Sequence, residues 1–251
     1  MIKFFRHIRY KLMNENKTGR YFKYAIGEII LVVIGILIAL QINNWNELNK
    51  TRHTEVQLLK ELKEDLEETK LDLITDIAKA KKILLITDTL YRKITDENYN
   101  NPIKISTSYL LETSMLFPKL SAYEALQSIG ITIVSNTQLR KNITDLYQLH
   151  LTRITASELY TEDLNQNVIK PYLISNSKFG SNCTDCKDLF SLYGTLENRR
   201  NNFYIVSNPD DRLVHLLKEK FDLFYELNKR YEGLALRMDE IIALIDKEIK
   251  A

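Results

Sequence analysis

One uninterrupted apolar stretch limits what this chain can fold into more than any other feature. It runs from Ala25 to Trp45, and between Ile29 and Leu40 it contains no charged residue and no proline. A helix of roughly 20 apolar residues crosses the hydrocarbon core of a bilayer. The stretch therefore predicts a transmembrane helix over residues 25–45.

Basic residues dominate the segment before this stretch. Residues 1–24 contain one acid, Glu15, against the lysines and arginines at positions 3, 6, 9, 11, 17, 20 and 23. Basic residues beside a first span stay in the cytoplasm. The sequence therefore predicts a cytoplasmic basic amphipathic arm over residues 1–24 and a periplasmic domain over residues 46–251 of a bacterial inner-membrane protein. No small-x-small pattern follows Leu40, which favours an uncleaved anchor over a secretory signal.

Two features inside the predicted span point beyond anchoring, and each also has a plain explanation. Gly35 and Ala39 form a small-xxx-small pair, with Gly27 two turns earlier, and such residues let two membrane helices approach closely. Glycine is also common in membrane helices in general. Glu28 lies about one turn inside the span, where an acid is costly and marks a functional hypothesis. The plain explanation, which its position near the end of the span favours, is a carboxylate that extends to the headgroups and pairs with Lys23 or Arg20.

Two blocks of sequence carry a resemblance to a known family. The first is YAIGEI at residues 24–29 with GILIALQINNWNE at residues 35–47, and the second is AYEAL at residues 122–126, SIG at 128–130, Asn136, Leu139 and Arg140. They resemble a bacterial membrane-protein family known only as a domain of unknown function and typical of Bacteroidetes. The resemblance implies an inner-membrane protein with a periplasmic helical domain, and it brings no activity, substrate or catalytic residue.

A long amphipathic helix is predicted over about residues 47–97. Its apolar positions recur at spacings close to three, four and seven, with charged residues on the other faces. These positions are Leu59, Leu62, Leu66, Leu73, Ile77, Ala80, Leu84 and Tyr91. The helix forms either a coiled-coil stalk or one member of a bundle within the chain, and the sequence leaves both open.

Two shorter helical regions are predicted next. The first covers residues 106–128 and is split by Pro118, because proline cannot continue a helical hydrogen-bond ladder. The second begins at an N-cap, Ser135 or Asn136, and ends at Pro171. The segment over residues 174–207 is irregular, apart from a short helix at residues 185–193.

A final helix is predicted over about residues 209–250. Asn208 is its expected cap and Pro209 its first helical residue. It is the natural antiparallel partner of the long helix. The chain has only 7 glycines and 4 prolines, which favours long helices over a sheet. The predicted fold is therefore all-α: one N-terminal transmembrane helix, a long amphipathic helix and an up-and-down periplasmic helical bundle.

The sequence contains no recognisable catalytic or ligand-binding motif. Cys183 and Cys186 are expected to form a local disulfide in an oxidising periplasm or to be a pair of plain thiols, because a redox motif and a zinc site both need surroundings that the sequence does not offer. His150 and His215 are placed to meet across a bundle, although lone histidines rarely form ligand pairs. Beyond residue 28 acids outnumber basic residues, which argues against nucleic acid. We therefore expect no catalytic residue, no cofactor and no metal.

Three functions from different classes remain open. The leading one is a non-enzymatic interaction or scaffold protein, with the lipid bilayer and either a protein partner or a second copy as its contacts. The second is an accessory subunit of an ion-driven or force-transmitting membrane complex that uses Glu28. The third is a periplasmic sensor or thiol-redox protein that uses Cys183 and Cys186.

Overall fold

The computed structural model describes residues 18–97, 101–106, 110–181 and 202–250. The chain divides into two compact units, Met1–Glu55 and Val56–Ala251. Helix α1, Thr18–Thr95, contributes to both units. Residues 1–17 of the predicted arm and the predicted helix at residues 185–193 lie outside the described residues.

The described part of the first unit is helical, and its apolar residues face outward. The most apolar window of α1 has a mean hydropathy of 2.6, and none of it is buried. From Ile29 to Trp45 every residue is exposed. A helix that is apolar on all sides normally lies in a large core or in a membrane. This helix is therefore long and apolar enough to be a membrane span or a signal sequence.

The described residues of the second unit form five more α-helices and three strands. In chain order they are β1 Ile103–Ser106, α2 Ser121–Ile129, α3 Thr137–Asp145, α4 Thr152–Leu164, α5 Lys170–Asn176, β2 Lys178–Ser181, β3 Asn202–Val206 and α6 Asp211–Lys250. A 3₁₀ turn, Ile131–Ile133, precedes α3, and two π-helical segments, Leu146–Leu151 and Asn165–Ile169, join α3 to α4 and α4 to α5.

Helix α6 packs antiparallel to the part of α1 that lies in the second unit. Lys63 pairs with Asp246 at 2.7 Å, and Lys81 pairs with Glu232 at 2.8 Å. The order of the partners is reversed along the two helices, which defines the antiparallel direction. The main core lies between these helices and α2 to α4, and it includes Leu59, Leu62, Leu66, Leu126, Leu139, Ile143, Leu227, Tyr231 and Met238.

A small sheet was not predicted from the sequence. Its strand order is β1-β3-β2, both pairings are antiparallel, and Ile103 stands opposite Val206. Ile103, Ile105 and Val206 lie on the buried face, which follows the two-residue alternation of a half-buried strand. The expectation of a purely helical domain was therefore wrong in this part, because runs of four or five residues are too short to separate strand from helix by periodicity.

The predicted helical region over residues 106–128 is only partly helical. Residues 111–120 contain no helix or strand, and helix α2 begins only at Ser121. We call residues 111–120 the strap. Pro118 lies in the strap, where its missing N–H removes no ladder bond.

Two predicted helix boundaries moved and one was confirmed. Asn136 caps α3, because its Oδ1 accepts a hydrogen bond from the Leu139 N–H at 3.0 Å. Pro171 does not end the run, because the π-helical turn before it changes the hydrogen-bond spacing and the helix continues to Asn176. Asp210, and not Asn208, caps α6: its Oδ1 accepts the Leu213 N–H at 3.0 Å.

Candidate functional site

The intramembrane candidates all lie on the exposed part of α1. Gly27, Gly35 and Ala39 are exposed, and a Cβ placed on either glycine would meet no atom within 4 Å. Glu28 is half-buried on the same helix. Helix association through the small residues and a functional role for Glu28 both stay predictions. Cys183 and Cys186 lie outside the described residues, so their predicted disulfide also stays a prediction.

The two histidines placed to meet across the bundle are far apart. His150 lines a small space together with Arg237 of α6, whereas His215 lies 22 residues before Arg237 on that helix. At about 1.5 Å per residue this is about 33 Å along the axis. The two histidines therefore do not meet, and the less favoured idea of a ligand pair fails. Within the described ranges, no group of three or more His, Cys, Asp or Glu side chains is arranged to hold a metal ion.

A buried carboxylate holds the middle of the strap. Glu158 of α4 is 3% exposed, and its Oε1 accepts the Leu116 N–H at 2.9 Å. The same oxygen accepts the hydroxyl of Tyr231, from α6, at 2.5 Å. Burial raises the pKa of Glu158, the two hydrogen bonds oppose that rise, and the nearby Asp76 carboxylate adds to it.

A buried lysine holds the region next to the start of the strap. Lys220 of α6 is fully buried, and its Nζ donates to Asn165 Oδ1 at 2.8 Å. Asn165 in turn donates through Nδ2 to the Glu112 carbonyl at 3.3 Å. Burial lowers the pKa of Lys220 to about 7, although the charges of Glu162 and Glu112 oppose the change.

Two side chains of α1 hold the end of the strap and the start of α2. Thr69 Oγ1 accepts the Lys119 N–H at 3.0 Å. Asp65 Oδ2 accepts the Ser121 hydroxyl at 2.8 Å and the Ala122 N–H at 2.9 Å. Helix α2 has no cap from its own preceding side chain, so Asp65 caps it from another helix.

These contacts explain why polar residues lie in the core. The strap has no helical or sheet partners, and buried backbone N–H and C=O groups need hydrogen bonds. Glu158 and Thr69 accept N–H groups of the strap, and Asn165 and Tyr231 donate to the carbonyls of Glu112 and Ser114. Glu158 and Tyr231 could in principle exchange a proton, but they are 3% and 0% exposed. They are enclosed side chains that hold the strap in place, and a substrate in solvent cannot touch them.

Sequence analysis missed these residues, although a signal for them was present. Ile154, Glu158 and Thr161 of α4 and Asn165, which begins the next π-helical segment, follow one helical stripe, and all four are buried. A carboxylate or amide inside an otherwise apolar stripe is an indication of a buried polar contact. The helical spacing does not show which strap groups Glu158 and Asn165 bind, because the strap itself has no periodic pattern.

The described chain is thus a mostly helical protein with one exposed apolar helix long enough to cross a membrane. Residues 28–185 match a family of unknown function (DUF6090), and the chain belongs to this family. The match begins at Glu28 and includes the strap and helices α2 to α5. No curated protein and no solved structure matches the chain.

Proposed function

We propose that this protein is a single-pass inner-membrane protein with a cytoplasmic N-terminus, and that residues 46–251 form a non-enzymatic interaction domain in the periplasm. The exposure of the apolar part of α1 carries the proposal. Ile29, Leu31 and Leu37 are 64%, 66% and 59% exposed. Leaving so many large apolar side chains in water is unfavourable by about 25 cal/mol per Å². A bilayer is the environment that covers all sides of such a helix.

The charge pattern before the span supports the proposed orientation. Lys and Arg greatly outnumber acids in residues 1–24, and such residues are retained on the cytoplasmic side. Beyond the span, the domain contains no comparable basic cluster at its start, where Lys50 and Arg52 lie between the acids Glu47 and Glu55. The asymmetry therefore supports a periplasmic domain.

Exposed apolar residues on α1 support an interaction role for the domain. Leu71 and Leu85 are each 67% exposed, and Ile74 is 50% exposed. Leu71 and Leu85 are two heptads apart, and Ile74 follows Leu71 by three residues, so the three share one helical face. Such a face is suited to packing against a partner helix.

Membrane extraction and chemical labelling test the anchor and its orientation. Alkaline carbonate should leave the full-length protein in the membrane, and the purified chain should retain residues 25–45. After reduction, a membrane-impermeant maleimide added from the periplasmic side should label Cys183 and Cys186. A cysteine introduced as Asn14→Cys in a variant without the native pair should stay unlabelled. A chain that begins shortly after residue 40, or the reverse labelling pattern, would refute this part.

Cross-linking in native membranes tests the interaction role. The wild-type protein should form a discrete cross-linked species, and mass spectrometry should identify its other member as a second copy or another protein. The double variant Leu71→Gln with Leu85→Gln should lose that species. Leu236→Gln on α6 is the matched control, because Leu236 is 65% exposed and should not affect it. A protein that always remains a single uncross-linked chain would contradict the proposal.

A further inference from the structure

A groove on the second unit collects positive charge. Helices α4 and α6 pack against each other, and His150, Arg153, Arg230 and Arg237 line a space of about 170 Å³ between them. We call this space the arginine groove. It continues into a larger open space of about 700 Å³ that Arg153 and Arg230 also line.

The spacing of the residues explains why they converge. Arg230, Leu234 and Arg237 are separated by four and three positions on α6, so they share one face of that helix. His150 and Arg153 are three positions apart on the facing run. Leu234 is 1% exposed and forms part of the apolar floor. The apolar lining residues Ile154 and Leu234 therefore offer the charged side chains no hydrogen-bond acceptor.

The positive charge of the groove is not balanced by its own lining. Arg153, Arg230 and Arg237 make no ion pair or hydrogen bond with any of the residues that the structure describes. Elsewhere on the same helix, exposed acids are paired with lysines, as Asp246 is with Lys63.

Among the described residues, acids line the spaces on either side of the arginine groove. Glu226 lines the larger space on one side, and Asp145 and Glu240 line a small space on the other side. The pKa of His150 responds to this balance: partial burial lowers it most, Arg237 and Arg153 lower it further, and Asp145 opposes them. The lining of the arginine groove itself contains three guanidinium groups and no carboxylate.

Gly233 keeps the groove open. It lies inside the 40-residue helix α6, where glycine is the weakest helix former apart from proline. A Cβ at this position would meet no atom within 4 Å, so close packing does not require glycine here. Gly233 lines the groove between Arg230 and Arg237, and a side chain there would project into the space that a ligand would occupy.

We propose that the arginine groove binds a phosphate group. Guanidinium groups match phosphate oxygens through paired N–H donors, and three guanidiniums suit a dianion better than a single carboxylate. The 170 Å³ of the groove itself fits one small anionic group, and the larger open space beside it leaves room for the rest of a phosphate-bearing molecule. The phosphate belongs either to a soluble phosphomonoester or to a lipid headgroup, and both sources present the same chemistry to the arginines.

Protection of arginines from chemical modification tests the proposal. Full-length protein in phosphatidylcholine nanodiscs is treated with phenylglyoxal, and modification of each arginine is followed by peptide mass spectrometry. Inorganic phosphate should protect Arg153, Arg230 and Arg237, whereas chloride at equal ionic strength should not. Arg212 is the internal control, because it is exposed on α6 outside the groove. Equal protection by chloride, or equal protection of Arg212, would overturn the proposal.

A second arm distinguishes the two sources of the phosphate. Nanodiscs that contain phosphatidic acid are treated with the reagent in the absence of soluble phosphate. Protection of the groove arginines in these nanodiscs would assign the phosphate to a lipid. Protection by inorganic phosphate alone would assign it to a soluble ligand. Absence of protection in both arms would overturn the proposal.

Three variants locate the binding. Arg230→Gln and Arg237→Gln should each raise the phosphate concentration needed for half-protection of the remaining arginines about tenfold, the loss expected for one charged hydrogen bond. Arg212→Gln should leave it unchanged. Gly233→Ala should raise the melting temperature, because alanine favours helix, and should still weaken phosphate protection. A Gly233→Ala protein with improved stability and unchanged protection would contradict binding in the groove.

Discussion

Lys220 makes the stability of this protein depend on pH in an unusual direction. Its amine is enclosed between Asn165 and the ring of Phe224, with Nζ 4.7 Å from the ring centroid. Burial lowers its pKa from 10.5 to about 7. Between these two values the unfolded chain binds a proton that the folded chain does not bind. The free energy of unfolding must therefore rise with pH across this window.

The size of the effect follows from the shift. One pKa unit corresponds to about 1.36 kcal/mol. At pH 7 Lys220 is about half protonated in the folded chain. Above pH 7 the unfolded chain binds nearly one proton more than the folded chain. Lys220 should therefore raise the free energy of unfolding by about 2 kcal/mol between pH 7 and pH 9. Lys220→Met fills nearly the same volume without a titrating group and should remove this rise.

Urea unfolding of the full-length protein in detergent micelles measures the rise. The only tryptophan, Trp45, lies in the first unit, so near-ultraviolet circular dichroism of the tyrosines is the appropriate probe. Lys218→Met is the matched control, because Lys218 is exposed on the same helix. Both cysteines are present in all three proteins, so any thiol contribution cancels in the comparison. A Lys220→Met protein whose stability rises with pH as steeply as the wild type would refute the reasoning.

Three further substitutions test the contacts that hold the strap and the sheet, each by the same urea titration at neutral pH. Tyr231→Phe removes a donor from the buried Glu158 carboxylate and should cost about 1 to 3 kcal/mol, so a loss of only a few tenths would show that this bond is unimportant. Asp65→Ala leaves the Ala122 N–H without its cap and should cost about 0.5 to 2 kcal/mol, with Asp65→Asn between it and wild type. Ile105→Ala empties a fully buried position of the sheet and should cost about 2 to 5 kcal/mol; a neutral result would contradict the burial of β1.

Much of the fold could be predicted because its signals are local. Hydropathy over residues 25–45 identified the exposed apolar helix. The cap at Asn136 could be predicted because an asparagine directly before a run of helically spaced apolar residues is a usual helix start. The strap over residues 111–120 could not be predicted. Its backbone is held by Glu158 and Tyr231, 42 and 115 residues after Leu116, and no local pattern reports such distant hydrogen bonds.

The arginine groove, too, could be predicted from the sequence only in part. The spacing of Arg230 and Arg237 on one helical face was readable from the sequence. The positions of Arg153 and His150 opposite them were not, because the π-helical segment that contains His150 changes the rotation of the run that carries both. Whether a charged residue lies in solvent or in the core also depends on its neighbours.

The sequence by itself determined that this chain carries one apolar helix able to cross a membrane and several amphipathic helices beyond it, because hydropathy and periodicity are properties of consecutive residues. Only the tertiary structure decided that Lys220 is enclosed, that Glu158 holds a strap, and that three arginines share one groove without partners. Those outcomes depend on which helix faces meet, and residues far apart in the chain decide that through packing and the satisfaction of buried polar groups.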